Sequence, residues 1–200
     1  THNWALPVGA LKSDLRYFSS AADGKNASAA GRAEGYRSSG FWKAGDSNTG
    51  EVDNRTWSAL FTYSLSGHAL SAGYQQVSGD SAFPFLNQGD GATAYLITDR
   101  QISNFARAGQ RTWLAEYGYD FASAGLPGLK ATVTYLSSDN IQNAGADQQE
   151  WERDFRLDYT LQQGALKGLG FSWRNASLRS DATSDIDQNR LIASYSLPLL

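Results

Sequence analysis

The sequence predicts an all-β fold, a transmembrane antiparallel β-barrel, and three observations lead there. Segments of roughly ten residues alternate with period two, one face of each is aromatic or aliphatic while the other is polar, and the links between them alternate in length. Period two places successive side chains on opposite faces of a strand. Trp113, Ala115, Tyr117, Tyr119 and Phe121 share one face, with Thr112, Leu114, Glu116, Gly118 and Asp120 between them. A soluble sandwich also alternates, but a row of such strands tipped with aromatics suits lipid better.

Taken in order, eight segments carry the pattern. Leu11–Ser20 sets Leu15 and Tyr17 against Lys12, Asp14 and Arg16, and Asp53–Leu65 sets Trp57, Ala59, Phe61 and Tyr63 against Ser58 and Thr62. Ala69–Val77 turns Ser71 and Gln75 to the polar side, and Arg111–Phe121 does the same with Glu116 and Asp120. Leu129–Ser137 opposes Ala131, Val133 and Tyr135 to Lys130, Thr132 and Thr134. Trp151–Leu161 opposes Phe155, Leu157, Tyr159 and Leu161 to Asp154, Arg156, Asp158 and Thr160. Leu169–Leu178 opposes Leu169, Phe171 and Trp173 to Ser172 and Arg174. Asn189–Leu200 closes the series, with Leu191, Ala193, Tyr195 and Leu197 against Arg190 and Ser194. Tyr17, Trp57, Tyr63, Trp113 and Tyr135 fall towards strand ends, where interfacial aromatic girdles belong.

Ser66-Gly67-His68 reads as a tight hairpin, and Ala122 to Gly128 and Gln162 to Gly168 as short turns. Ala21 to Val52, Ser78 to Gln110, Ser138 to Glu150 and Arg179 to Gln188 read as long loops rich in Gly, Ser, Asn and Asp. Short turns on one rim and long loops on the other are the arrangement of outer-membrane barrels. With the short turns periplasmic, Thr1–Ala10 and Leu200 lie on the periplasmic side.

Composition bounds the alternatives. The 200 residues fit one all-β domain, and 20 glycines, 10 tyrosines, 9 phenylalanines and 6 tryptophans favour strands. Mean hydropathy is negative and no run approaches the roughly 18 apolar residues of a membrane helix. Absence of cysteine excludes a disulfide framework and a thiolate metal site. Methionine is absent and the first residue is Thr1, so a processed or cut chain is expected. A net charge of −3 argues against a nucleic-acid binder.

A charge in a dry interior costs about several kcal/mol unless paired. The many ionisable groups on the polar face therefore imply a wet lumen, a pore rather than a plugged barrel. Arg16, Arg156, Arg174 and Arg190 come from four strands and could hold carboxylates through bidentate contacts. The alternative is wall-to-wall pairing with Asp14, Asp154 and Asp158 on neighbouring strands. Ser78 to Gln110 carries Phe83-Pro84-Phe85-Leu86, Ala94-Tyr95-Leu96-Ile97, Ile102 and Phe105, too many apolar groups for an exposed loop. It either folds into the lumen as a constriction or packs over the rim. Its acids Asp80, Asp90 and Asp99 could meet a cation or a solute donor, or be ordinary loop charge.

Enzyme signatures are missing, so no enzyme activity, cofactor or metal is expected. His2 and His68 are the two histidines, and no nucleophile elbow, P-loop or dinucleotide fingerprint occurs. Glu150 and Glu152, beside Arg153, read as structural charge.

Several strings nevertheless have a familiar order. Trp151-Glu152-Arg153-Asp154, Gly168-Leu169-Gly170-Phe171-Ser172-Trp173-Arg174-Asn175-Ala176 and Asp187-Gln188-Asn189-Arg190-Leu191-Ile192 resemble the C-terminal strands of OprD-type porins. Gly73-Tyr74-Gln75-Gln76-Val77-Ser78-Gly79-Asp80, and Tyr119-Asp120-Phe121 followed by Gly125-Leu126-Pro127-Gly128-Leu129, are similar as well. The resemblance runs from about Leu11 to Leu197. It implies part of an eighteen-stranded single-chain barrel in the bacterial outer membrane, a channel for small carboxylates with a ladder of basic side chains. Arg156, Arg174 and Arg190 would form part of that ladder, with Arg16 and Lys130 from the same inward face. Ser78 to Gln110 would be a constricting loop, with Asp99 and Ser103 among its lining groups.

Eight strands are fewer than half of such a barrel, so residues 1–200 are expected to be the C-terminal portion of a single barrel domain. A closed eight-stranded barrel is the rival, with an interior that side chains fill. Leu200 departs from the aromatic residue that commonly ends such barrels. The expected function is passive uptake of small anionic, carboxylate-containing solutes, against the alternative of a structural or adhesive barrel without a conducting pore. Outer-membrane lipid and lipopolysaccharide are the expected surroundings, and lipid-facing strands without a polar stripe suit a monomer.

Overall fold

The computed structural model describes residues 1–21, 52–85, 96–143 and 146–196. These residues form one nine-stranded sheet in which every strand pairs antiparallel with the next in chain order. The strands are β1 (His2–Ala5), β2 (Ala10–Ala21), β3 (Asp53–Leu65), β4 (His68–Ser78), β5 (Arg111–Asp120), β6 (Leu129–Asn143), β7 (Ala146–Thr160), β8 (Gly170–Ser180) and β9 (Ile186–Ser194). A 3-10 turn, Phe121–Ala124, follows β5. Strands of ten or eleven residues rising about 3.3 Å per residue and tilted about 45° cross roughly 25 Å, the height of an outer-membrane apolar band. The sheet is an open wall: β1 and β9 are its edges, so these strands do not close into a small barrel.

The expected alternation is present. Tyr17 (67% exposed), Trp113 (66%) and Leu191 (85%) stand out from one face, with no protein covering them. Along the wall, Trp57 packs against Tyr74 and Tyr74 against Trp113, while Tyr135 stacks on Trp151. Lipid accounts for such exposure, since water would not stabilise it.

Four expectations need correction. The segment Thr1–Ala10 holds a ninth strand, because His2–Ala5 folds back on Ala10–Ser13. Ser138 to Glu150 and Arg179 to Gln188 are not long loops. β6 and β7 run on as a hairpin to Asn143 and Ala146, and β8 and β9 are joined across Ser180 and Ile186. A bulge between Ser138 and Ile141, with Asn140 at a φ of 57°, interrupts the β6–β7 ladder without ending it. Polar residues occupy both faces of these stretches, so the sequence shows no apolar alternation there. The last strand ends at Ser194, and Leu197 and Leu200 fall outside the described residues.

The lipid-side parity also carries a polar stripe. Arg153 donates to Asn175 Oδ1 at 3.1 Å and Ser177 Oγ at 3.3 Å, and Asn175 donates to Asn189 at 3.0 Å. Arg179 meets Asp187 at 3.0 Å and lies 5.9 Å over the Trp151 ring. The uninterrupted apolar exterior that supported a monomer is therefore not what β7–β9 present.

Two glycines fix the geometry. Ser66 and Gly67 both have positive φ, 49° and 83°, as a two-residue hairpin turn requires. A Cβ on Gly67 would also come within 2.7 Å of Asp120 O, whose residue donates its N–H to Gly67 O. Gly73 lies in the middle of β4 on the face opposite the aromatics. There a Cβ would stand 3.0 Å from Leu60 Cδ1 and 3.1 Å from Ile97 Cδ1. It leaves room for the segment 96–110, which returns across that face.

Gly73→Val should therefore push Ile97 off the wall while leaving the strands paired. The expected outcome is faster proteolysis within 96–110 in a barrel that still migrates as a folded, heat-modifiable species; unchanged proteolysis would contradict the close approach.

Candidate functional site

Segment 96–110 settles the choice left open for Ser78 to Gln110, because it lies against the face opposite the aromatic belt. Its apolar side chains form two small cores there. Phe105, Leu114 and Leu136 pack together with Leu60, and Phe83, Leu96 and Ala106 pack with Phe18 and Phe85. Phe105 is 1% exposed, and burying such a ring contributes roughly 2–3 kcal/mol. Leu86, Asp90, Ala94 and Tyr95 lie outside the described residues.

Polar contacts complete the docking. Gln75 on β4 is fully buried and donates to Thr98 Oγ1 at 2.8 Å and to Phe105 O at 3.1 Å. β7 supplies three carboxylates on one face, Glu150, Glu152 and Asp154, as period two requires. Asp154 accepts the N–H of Gln101 at 3.3 Å, and Glu152 accepts those of Ile102 at 2.9 Å and Ser103 at 2.7 Å. Glu150 accepts from Arg107 and from Gln110, both at 2.6 Å. The structural reading of Glu150 and Glu152 holds, although Glu152 is well inside β7 rather than at its edge. Asp154 belongs to this anchoring set and not to an arginine pair.

Below the anchoring set on the same face come the arginines. Register pairs Arg156 with Arg174 and Arg174 with Arg190, so three guanidinium groups stand side by side on β7, β8 and β9. Strands of outer-membrane barrels tilt by roughly 35–45°. At a strand spacing of about 4.8 Å, such a row climbs about 3 Å per strand. A row in the sheet thus becomes a staircase along the pore axis.

Their partners differ. Arg156 Nε contacts Asp158 Oδ2 at 2.6 Å. Arg174 Nε donates to Ser172 Oγ at 3.3 Å, and Arg190 Nη2 to the Gln101 carbonyl at 3.2 Å. Among the described residues, the acceptors of Arg174 and Arg190 are neutral. Arg16 is held by Asp14 at 2.7 Å. Both ion pairs join residues i and i+2 of one strand, which share a face, rather than residues of neighbouring strands.

The other expected site residues are spread out. Lys130 lies at the turn end of β6, 61% exposed, and meets Asp120 at 3.1 Å. Asp99 is on the docked segment in the field of Arg16 and Arg100. Burial raises its carboxyl above the ordinary carboxylate range, while a Leu96 backbone hydrogen bond and those two arginines oppose the rise. Ser103 is turned to the wall, with its N–H on Glu152 and its Oγ 3.5 Å from Glu150 Oε1. Arg100 escaped sequence reasoning because loop residues have no parity. It bridges to Glu116 at 3.3 Å, and Glu116 also accepts from Thr134 at 2.8 Å. Among the described residues, no cluster of His, Cys, Asp or Glu could hold a metal ion.

Comparison with known proteins places this geometry. The family model described as outer membrane porin, OprD family, matches residues 1–199. The crystal structure of Pseudomonas aeruginosa OccK8 (OprE) is 59% identical, with a TM-score of 0.90 over 100% of this chain and 49% of that one. That of Pseudomonas aeruginosa OccK2 (OpdF), in complex with glucuronate, is 35% identical, with a TM-score of 0.79 over 100% of this chain and 49% of that one. The Porin-like protein GalP of Pseudomonas putida is 37% identical over 164 residues, 80% of this chain and 38% of its own length. The chain thus spans about half or less of the proteins it matches. It belongs to the OprD family of porins, all-β barrels of the bacterial outer membrane.

Proposed function

We propose that residues 1–200 are the C-terminal portion of one barrel domain, and that the complete protein is a passive channel for small anionic solutes carrying a carboxylate. The supporting observation is the Arg156–Arg174–Arg190 row, in which two guanidinium groups have neutral acceptors only, among the described residues. Like charges set side by side repel, by about 1 kcal/mol per pair in water at contact distances and more where water is scarce. A passing carboxylate relieves that repulsion and can take a bidentate grip on each guanidinium in turn. The tilt of the row offers the next site a few ångströms along the path, so the solute need not leave the wall. The OccK2 structure with glucuronate, a sugar acid, is in keeping with this chemistry.

The docked segment supplies the counterweight. Asp99 and Arg100 put one acid and one base at the constriction, and Arg16, itself paired with Asp14, lies near enough for its charge to act on Asp99. Lys130, paired with Asp120, stands at the rim end of this face, while Ser103 acts through the segment's position. Outer-membrane lipid and lipopolysaccharide surround the aromatic belt, and the transport itself calls on no cofactor. An adhesive or structural barrel is the second reading. The wall pairs Arg16 and Arg156 give it some support, but it leaves Arg174 and Arg190 without a purpose.

Two measurements on the complete protein test the channel. Replacing Arg156, Arg174 and Arg190 together by Gln should lower carboxylate uptake roughly ten- to hundredfold and shift the reversal potential in a salt gradient towards cations; unchanged selectivity would sink the row's role. Asp99 has its carboxyl raised above the ordinary range, so it takes up its proton at a higher pH than an ordinary carboxylate. As pH falls, anion preference should therefore rise before ordinary carboxylates titrate, and Asp99→Asn should remove that step. The same raised value means that ionising Asp99 disfavours the docked state, so the associated stability diminishes as pH rises through it.

A further inference from the structure

Glu152 stands where the sheet gives a carboxylate nothing to pair with. In register its neighbours are Leu136 on β6 and Leu178 on β8, both buried, and Glu152 itself is wholly buried. On its own strand the nearest side chains of the same face are Glu150 and Asp154, which are also acidic. A charge so placed is unfavourable unless donors converge on it. They come from the docked segment: the consecutive N–H groups of Ile102 and Ser103, one to each carboxylate oxygen, at 2.9 and 2.7 Å. Charge-assisted bonds of this kind are about twice as strong as neutral ones.

We propose that Glu152 is a positioning residue that sets the aperture of the pore, by fixing the turn that carries Asp99 and Arg100. The inference rests on the channel reading above. Glu150 holds the later part of the segment through Arg107 and Gln110, and Asp154 makes a longer single contact with Gln101. Glu152 alone grips two successive amides, and two such bonds fix both the height and the direction of the turn. Arg100 and Arg107 are the basic groups on the segment, and each has an acid of its own, Glu116 and Glu150. The carboxyl group of Glu152 is thus left to the two backbone N–H groups of the segment and to its neighbour Asp154. Gln at this position would keep the shape but turn an amide N–H₂ towards one of two N–H groups.

The test uses the complete protein with Glu152→Gln and Glu152→Asp in planar bilayers, together with a spin label at Ile102→Cys. The expected result is a severalfold rise in open-channel current fluctuation and a more mobile label for Glu152→Gln. Glu152→Asp, which keeps the charge one methylene short, should fall between it and the parent. Assembly is checked by heat-modifiable migration, which the isosteric change should not alter. If label mobility and current both match the parent, the proposal is overturned. If the label loosens while the current does not change, the segment is held by Glu152 but the aperture is not set there, and the proposal again fails. Should the parent carry no current, the channel reading would fall together with the aperture, while the label would still report whether Glu152 holds the turn.

Discussion

Strand register is the constraint on which the rest of this wall depends. Side chains alternate with a period of two, so slipping one strand by a single residue would move its whole polar set into lipid. In β7 that set is Glu150, Glu152, Asp154, Arg156 and Asp158, and no lipid could hold it. The hydrophobic penalty on the outside therefore fixes the positions on the inside. One choice of register delivers both features: the carboxylates that receive the docked segment and the arginine row next to them.

Charge along β7 is sorted by height. The acids at one end are consumed by backbone amides and by Arg107, whereas Arg156 comes below them with Asp158. Mixed freely, these groups would neutralise one another and leave a lumen without direction. Segment 96–110 prevents this by covering the acids, much as a dry core covers apolar groups. Docking it thus changes the electrostatics of the wall as well as its width. The exposed charge that remains on the inner face of β7–β9 is Arg156, Arg174 and Arg190 against Asp158, and so predominantly basic.

Much of this was legible in the sequence and some was not, for physical reasons. Trp113, Tyr117 and Tyr135 face lipid, and lipid enforces a strict alternation that can be read directly. Ser138 to Glu150 carries Asp, Asn and Gln without apolar alternation, so a hairpin there reads as a loop. β1 is four residues long, too short to show a period. The inward parity of Arg156, Arg174 and Arg190 was readable from each strand alone. Their alignment was not, because it depends on how Leu161–Leu169 and Asp181–Asp185 turn the chain. The excess of apolar residues in Ser78 to Gln110 announced a covered loop, but its contacts with Gln75 and Glu152 are long-range and leave no local mark.

The polar stripe on the outer face obeys the same logic from the other side. Arg153, Asn175, Ser177, Asp187 and Asn189 have the parity of Phe155 and Trp173, yet they are hydrogen-bonded to one another, Asp187 to Ser177 and to Arg179 as well. Each takes its partner from the adjacent strand, so the stripe exists only in the register that also aligns the inner arginines. A slip that broke the row inside would leave these outer groups without the partners they now have. The two faces of β7–β9 therefore hold each other in place: apolar alternation restricts the register to steps of two residues, and the paired polar groups on both faces select one of those steps.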